Sequence, residues 1–180
     1  MSINNIPDAI QHIVTSMQDD GYDIQFQFGH PKEIQQTLIE WSRDPSRKEV
    51  KTPLLILFLD FEEDKYGEDK TYITVADVTI IIANETNRNY KAQERLENVF
   101  KPVLWPLYEA FIEECELSVL FDVDAKFHIP HNKIDHYFYA ADEAKDQNVF
   151  AAYWDAVEIT NLELKLQEQD CSFTSNNLTF

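Results

Sequence analysis

Two apolar runs near the middle of the chain are apolar on both of their alternating faces. Leu54, Leu55, Ile56, Leu57, Phe58 and Leu59 follow one another without a polar residue. In the second run, Ile73, Val75, Asp77, Thr79 and Ile81 alternate with Tyr72, Thr74, Ala76, Val78, Ile80 and Ile82, and its end, residues 80–83, is again apolar throughout. A strand in a one-sided sheet needs only every second residue to be apolar, whereas a strand covered on both sides needs all of them. Residues 54–59 are therefore expected to form a central strand, and 72–83 to return beside it. Residues 62–70 lie between the two, alternate in charge and contain Gly67. This segment reads as a hairpin tip, longer than a tight turn and so protruding.

The flanks supply helices and further strands. Ile6, Ile10, Ile13, Val14 and Met17 fall on one helical face, with Pro7 as a tolerated first residue and Gly21 at the C-terminal end. Ile24, Phe26 and Phe28 alternate with polar residues as in a half-buried strand, which Gly29, His30 and Pro31 interrupt. Residues 33–41 suit a short helix or turn, and 41–49 a loop. From Asn89 to Leu117 helical spacing returns, but Pro102 and Pro106 each remove an amide and clash with the preceding turn. A kink or break is expected there, with Pro106 in a new first turn. Residues 121–129 alternate as another strand, with 134–141 as its hairpin partner, and 142–148 form a polar turn. The last strand, 154–166, changes apolar phase between Ile159 and Leu162, which one extra residue near Thr160 and Asn161 explains as a bulge. The expectation is a single α+β domain over 1–168, followed by a tail over 169–180 that is flexible or ordered by a partner. Its mostly antiparallel sheet packs against an N-terminal helix and a proline-kinked central helix.

Composition narrows the function classes. The formal net charge is −18, with acids spread along the whole chain, so phosphate backbones are repelled by default. Three glycines and 44% hydrophobic residues suit a packed core rather than disorder. Cys115 and Cys171 are far apart and fit no metal spacing, and two unpatterned cysteines suit a reducing compartment. No apolar run reaches the length of a membrane span, and no signal-peptide pattern is seen.

Motifs for chemistry are sparse. His128, His131 and His136 lie close in sequence but match no ligand spacing, so no metal is expected. Glu113, Glu114 and Glu116 read as solvated rather than as an acid–base pair. Tyr137, Phe138, Tyr139 and Trp154 read as core or subunit-contact aromatics. No phosphate loop or nucleophile motif occurs, so no catalysis and no cofactor are expected. The segments singled out for interaction are the basic loop with Arg43, Arg47 and Lys48, and the acidic hairpin with Glu62, Glu63, Asp64 and Asp69.

The order of elements resembles that of the tail terminator, or tail completion, proteins of long-tailed bacteriophages. The resemblance rests on the N-terminal helix over 6–17, the proline-led apolar strand over 53–59 and the strand over 72–83 with its polar linker. The helix containing Phe100, Pro102, Trp105, Pro106 and Tyr108 follows, and a closing strand comes after the aromatic lead of 149–154. It implies a ring, commonly of six subunits, that caps the tail tube and presents its other face to the head connector or a head completion protein. DNA would pass through the lumen without specific binding, no membrane would be involved, and the protein would reside in the virion neck after assembly in the host cytoplasm. The longer loop at 41–51 and the extra material at 119–142 leave the exact neck position open, terminator or connector. Composition alone also fits an acidic cytosolic binding or inhibitor protein of the immunity type, directed at a basic partner.

Overall fold

The computed structural model describes residues 5–43, 53–59, 61–66, 73–123, 128–138, 141–142, 147–148 and 153–167. Helix α1 (Ile6–Asp19) buries Ile6, Ala9, Ile10, Ile13, Val14 and Met17 along one stripe. It begins at Ile6, so Pro7 is its second residue; the Asn5 side chain caps the turn by accepting from the Asp8 amide at 2.8 Å. At the other end the Gly21 amide donates to the Gln18 carbonyl and the Tyr22 amide to the Met17 carbonyl. This paired closure needs a left-handed residue, and Gly21 supplies it with φ +95.

Strands β1 (Gln25–Gly29), β2 (Leu54–Phe58), β3 (Glu63–Tyr66), β4 (Ile73–Glu85), β5 (Asn132–His136) and β8 (Trp154–Gln167) form one mixed sheet. Its order is β1-β2-β4-β8-β5, with β3 also on β4. Every pairing is antiparallel except β1 with β2. That parallel pair is joined by α2 (Pro31–Arg43), because a parallel neighbour can be reached only by a crossover. Two short strands, β6 (Ala141–Asp142) and β7 (Gln147–Asn148), pair with each other around the expected polar turn.

The central-strand expectation is met for residues 54–57, while Phe58 is only partly buried and Leu59, expected within the strand, lies beyond it and is 40% exposed. Leu54, Leu55, Ile56 and Leu57 are all buried between β1 and β4. Leu55 and Leu57 face the larger core under α1 and the central helix, while Leu54 and Ile56 face a smaller one with Ile34 of α2, Ile81 and Trp154. Between the pairs Leu57↔Ile80 and Glu63↔Ala76, six steps on one chain oppose four on β4. Thus β2 and β3 act as one strand interrupted between Phe58 and Glu63.

The helical region is continuous: α3 (Ala92–Arg95), a π-helical segment (Leu96–Leu104) and α4 (Trp105–Leu117) follow directly on one another. The irregularity expected from the prolines takes the form of π-helical winding rather than a break. Pro102 lies inside the wider segment, and the Trp105 amide reaches back five residues to the Phe100 carbonyl. Pro106 is the second residue of α4, but because the π-helical segment leads straight into it, its missing amide leaves a gap inside a continuous helix rather than at a free end.

Three expectations are corrected. Phe28 is 52% exposed rather than buried, because β1 is an edge strand among the described residues. The described residues of 121–129 form no strand paired with the described residues of 134–141. Among their described residues Phe121 makes one isolated bridge to Leu166, and β5 pairs instead with β8. Pro130 supplies a reason, since it has no amide to donate into a ladder. Finally, Glu63 and Asp64 belong to β3, so the acidic segment is a ladder strand before it is a tip. Gly67, Cys171, Tyr139 and the 169–180 tail lie outside the described residues.

The bulge in the last strand falls where the change of phase puts it. Val78 pairs with Leu162 and Ile80 with Ile159, so β8 spends three steps where β4 spends two. Asn161 takes the strained position, with φ +52. Asn161→Val is expected to destabilise by about 1–2 kcal/mol and Asn161→Gly by almost nothing, since only the β-branched side chain clashes there. Urea melts that rank the two variants equally would refute this assignment.

Candidate functional site

Of the two charged segments, only the ends that border β2 fall among the described residues. Helix α2 starts just after Gly29, which pairs with Phe58 at the C-terminal end of β2. Its thirteen residues rise about 20 Å, which returns the chain towards the Leu54 end, where β2 begins. Arg43 is the last residue of α2 and lies on that return path. Arg47 and Lys48 fall outside the described residues. Glu62, Glu63 and Asp64 are exposed and lie past the other end of β2. Asp69 is outside the described residues.

The histidines do not converge. His128 Nδ1 meets Glu116 Oε1 at 2.9 Å, His131 Nε2 meets the Tyr108 hydroxyl at 2.7 Å, and His136 Nε2 meets Glu158 Oε2 at 2.6 Å. Among the described residues, no three histidine, cysteine or carboxylate side chains are grouped to hold a metal ion. Glu116 departs from the solvated reading. Its carboxylate also accepts from the Ile129 amide at 3.1 Å and so fastens the chain beyond α4 to the helix.

An aromatic shelf lies along β5. Trp105 Nε1 donates to both oxygens of Asp135, at 3.3 and 3.2 Å. Lys133 Nζ pairs with Asp135 at 2.6 Å and stands 5.1 Å from the Trp105 ring centre and 5.4 Å from that of Tyr108. Burial raises the Tyr108 pKa above the usual tyrosine value, and Glu109, Glu116 and Asp135 add to the rise. The folded state therefore holds this proton more tightly than the unfolded chain does. The associated stability is fully present below the ordinary tyrosine pKa and is lost as pH rises through the higher folded value. Tyr108→Phe is expected to flatten the alkaline limb of a stability–pH curve; an unchanged limb would contradict the assignment.

A constellation that the residue pattern did not single out lies at the start of β8. Arg95 is 1% exposed and Asp155 0%. Arg95 Nη1 donates to Asp155 Oδ1 at 2.6 Å and to Thr86 Oγ1 at 3.2 Å, Nε to the Tyr90 carbonyl at 3.1 Å, and Nη2 to the Asn87 carbonyl at 3.3 Å. The guanidinium lies 3.7 Å from the centre of the Phe138 ring, whose amide donates to Asp155 Oδ1 at 3.0 Å. Asp155 Oδ2 has no hydrogen-bond partner among the described residues. The signal was present in the strand phase. Asp155 shares the inward phase of Val157 and Ile159, and an acid there requires a buried cation. With its hydrogen bonds directed at backbone and scaffold, this knot fastens the β4–α3 linker, β8 and the exit of β5 to one another.

Cys115 is fully buried in α4, and burial, reinforced by Glu114 and Glu116, raises its pKa well above that of an ordinary thiol. It is therefore a packing residue and a poor nucleophile. Trp154 is buried, while Tyr137 is 49% exposed and packs edge-on against Phe100. No helix among the described residues is long and apolar enough to cross a membrane. Comparison with protein families, with curated proteins and with solved structures finds no match to this chain.

Proposed function

We propose that this chain is a structural subunit of a bacteriophage neck, forming a ring that caps the tail tube and joins it to the head connector. The observation that supports the reading is an exposed acidic cluster held at one end of a rigid central strand. Glu62, Glu63 and Asp64 are exposed and lie past the C-terminal end of β2, and Arg43, Arg47 and Lys48 are the basic residues that the sequence offers as a second contact segment. A tube of stacked identical rings exposes a face that recruits the next ring, and nothing in such a contact limits its length. A terminator needs one end that matches the tube and another, chemically different, that does not recruit more of it. An acidic cluster at one end of β2, with the basic residues of the 43–48 segment as a second surface, would meet that requirement. The acidic composition suits a wall past which DNA moves without being held.

Deleting the gene is expected to leave filled heads unjoined to tails and tubes of uncontrolled length. Reversing charge at Glu62, Glu63 and Asp64 should impair joining more than folding, because solvated side chains contribute little to stability. Normal tailed particles made without the gene would end the proposal.

A further inference from the structure

Strand β1 is an edge without the usual protection. Exposed edges normally carry charge, proline or a bulge that discourages another strand from pairing. Gln25, Phe26, Gln27, Phe28 and Gly29 include no charged residue and no proline, in a chain of net charge −18. Among the described residues β1 pairs only with β2. Phe28 is 52% exposed, and the Phe26 ring stacks on it at 5.8 Å. At the opposite side of the sheet β5 pairs only with β8 among the described residues, and Ile134 is 43% exposed.

The two edges match in direction, hydrogen-bonding phase and face. Strand β1 is parallel to β2, and the antiparallel steps through β4, β8 and β5 leave β5 running opposite to β1. A rotation axis along the strands therefore brings β1 of one copy antiparallel to β5 of the next. The Gln25 amide donates to Pro53 and the Gly29 carbonyl accepts from Leu59, so odd residues of β1 face β2 and the amides of Phe26 and Phe28 face outward. On the other edge the Pro130 carbonyl accepts from the Glu163 amide, so the extended chain that follows turns even residues towards β8 and Lys133 and Asp135 outward. All four outward residues sit on the helix-covered face. Phe26 pairs with Leu55 and Asp135 with Val157, both in the larger core.

Charge favours a second copy as the occupant. Molecules of net charge −18 repel one another, so a self-contact has to form where acid is absent or neutralised. Strand β1 has no ionisable side chain, and Asp135 on β5 is already paired with Lys133. A basic partner would instead be drawn to the acidic surface.

We propose that β1 of one subunit pairs antiparallel with β5 of its neighbour, Gln27 opposite Ile134 and Phe28 opposite Lys133, so that the sheet continues from copy to copy. Phe28 then meets the shelf of Lys133, Trp105 and Tyr108. Such a head-to-tail contact closes a ring when its rotation divides the circle. This rests on the ring reading above and names the surfaces that build it.

The test uses disulfide trapping in a Cys171→Ser background, since Cys115 is buried. Gln27 and Ile134 would form a non-hydrogen-bonded cross-strand pair, the close spacing that suits a disulfide. Gln27→Cys with Ile134→Cys, oxidised with glutathione disulfide, should give a non-reducing ladder in multiples of 21.1 kDa. Gln27→Cys with Lys133→Cys, on opposite faces, should not. Phe28→Lys at this exposed position should abolish assembly and leave the melting temperature unchanged. An oligomer that forms without the 27–134 cross-link, or that survives Phe28→Lys, overturns the edge pairing and leaves a ring of other geometry standing. A purified chain that stays monomeric and uncross-linked at every concentration also overturns it, as when β1 takes a strand from a different protein. The ring reading itself is then decided by the deletion phenotype.

Discussion

Arg95→Met is expected to destabilise the protein by about 3–5 kcal/mol, because it strands a buried carboxylate. Asp155 is fully buried, one of its oxygens has no partner among the described residues, and the other depends on Arg95 and the Phe138 amide. At this chain length each kcal/mol moves the melting temperature by roughly 2–4 °C, so a fall of about 10 °C is expected. The loss also releases Phe138, a bulky residue with φ +54 that only its surroundings keep in that conformation. Removing both charges together, as Arg95→Met with Asp155→Leu, should recover much of the loss, since breaking a buried pair costs more than replacing it with apolar groups. Equal melts for wild type and Arg95→Met would show that the pair contributes nothing, and a double variant no better than the single would place the cost in the lost hydrogen bonds to Thr86, Asn87 and Tyr90.

Leu57→Asp is expected to be still more damaging. Leu57 is 0% exposed in the middle of β2, with β1 on one side, β4 on the other and α1 in the same core. A carboxylate placed there has no cation to meet, and the penalty of at least about 4 kcal/mol approaches the whole stability of an ordinary domain. The variant should be insoluble or lack a cooperative melt. Leu57→Ala, which leaves a cavity but no charge, should fold with a loss of about 2–5 kcal/mol. Soluble Leu57→Asp protein with an unchanged melt would sink the central-strand assignment.

The residue pattern alone carried the local elements. Two-sided apolarity marked β2 and residues 80–83 of β4 as interior, because no solvent-facing strand tolerates an unbroken Leu54–Leu57 run. The change of apolar phase located the β8 bulge, because period-2 alternation survives an insertion only with a shift. Pro102 announced an irregular helix, since its ring clashes with the turn before it in any sequence context. Tertiary structure alone decided what depends on partners distant in the chain. It made β1 a parallel edge with Phe28 outside, put β5 on β8 rather than beside 121–129, and joined Arg95 to Asp155 across sixty residues. Alternation states which face of a strand is buried, but not which strand lies next to it. A helical arginine looks solvated until the fold closes over it and supplies the carboxylate, carbonyls and ring that replace its water.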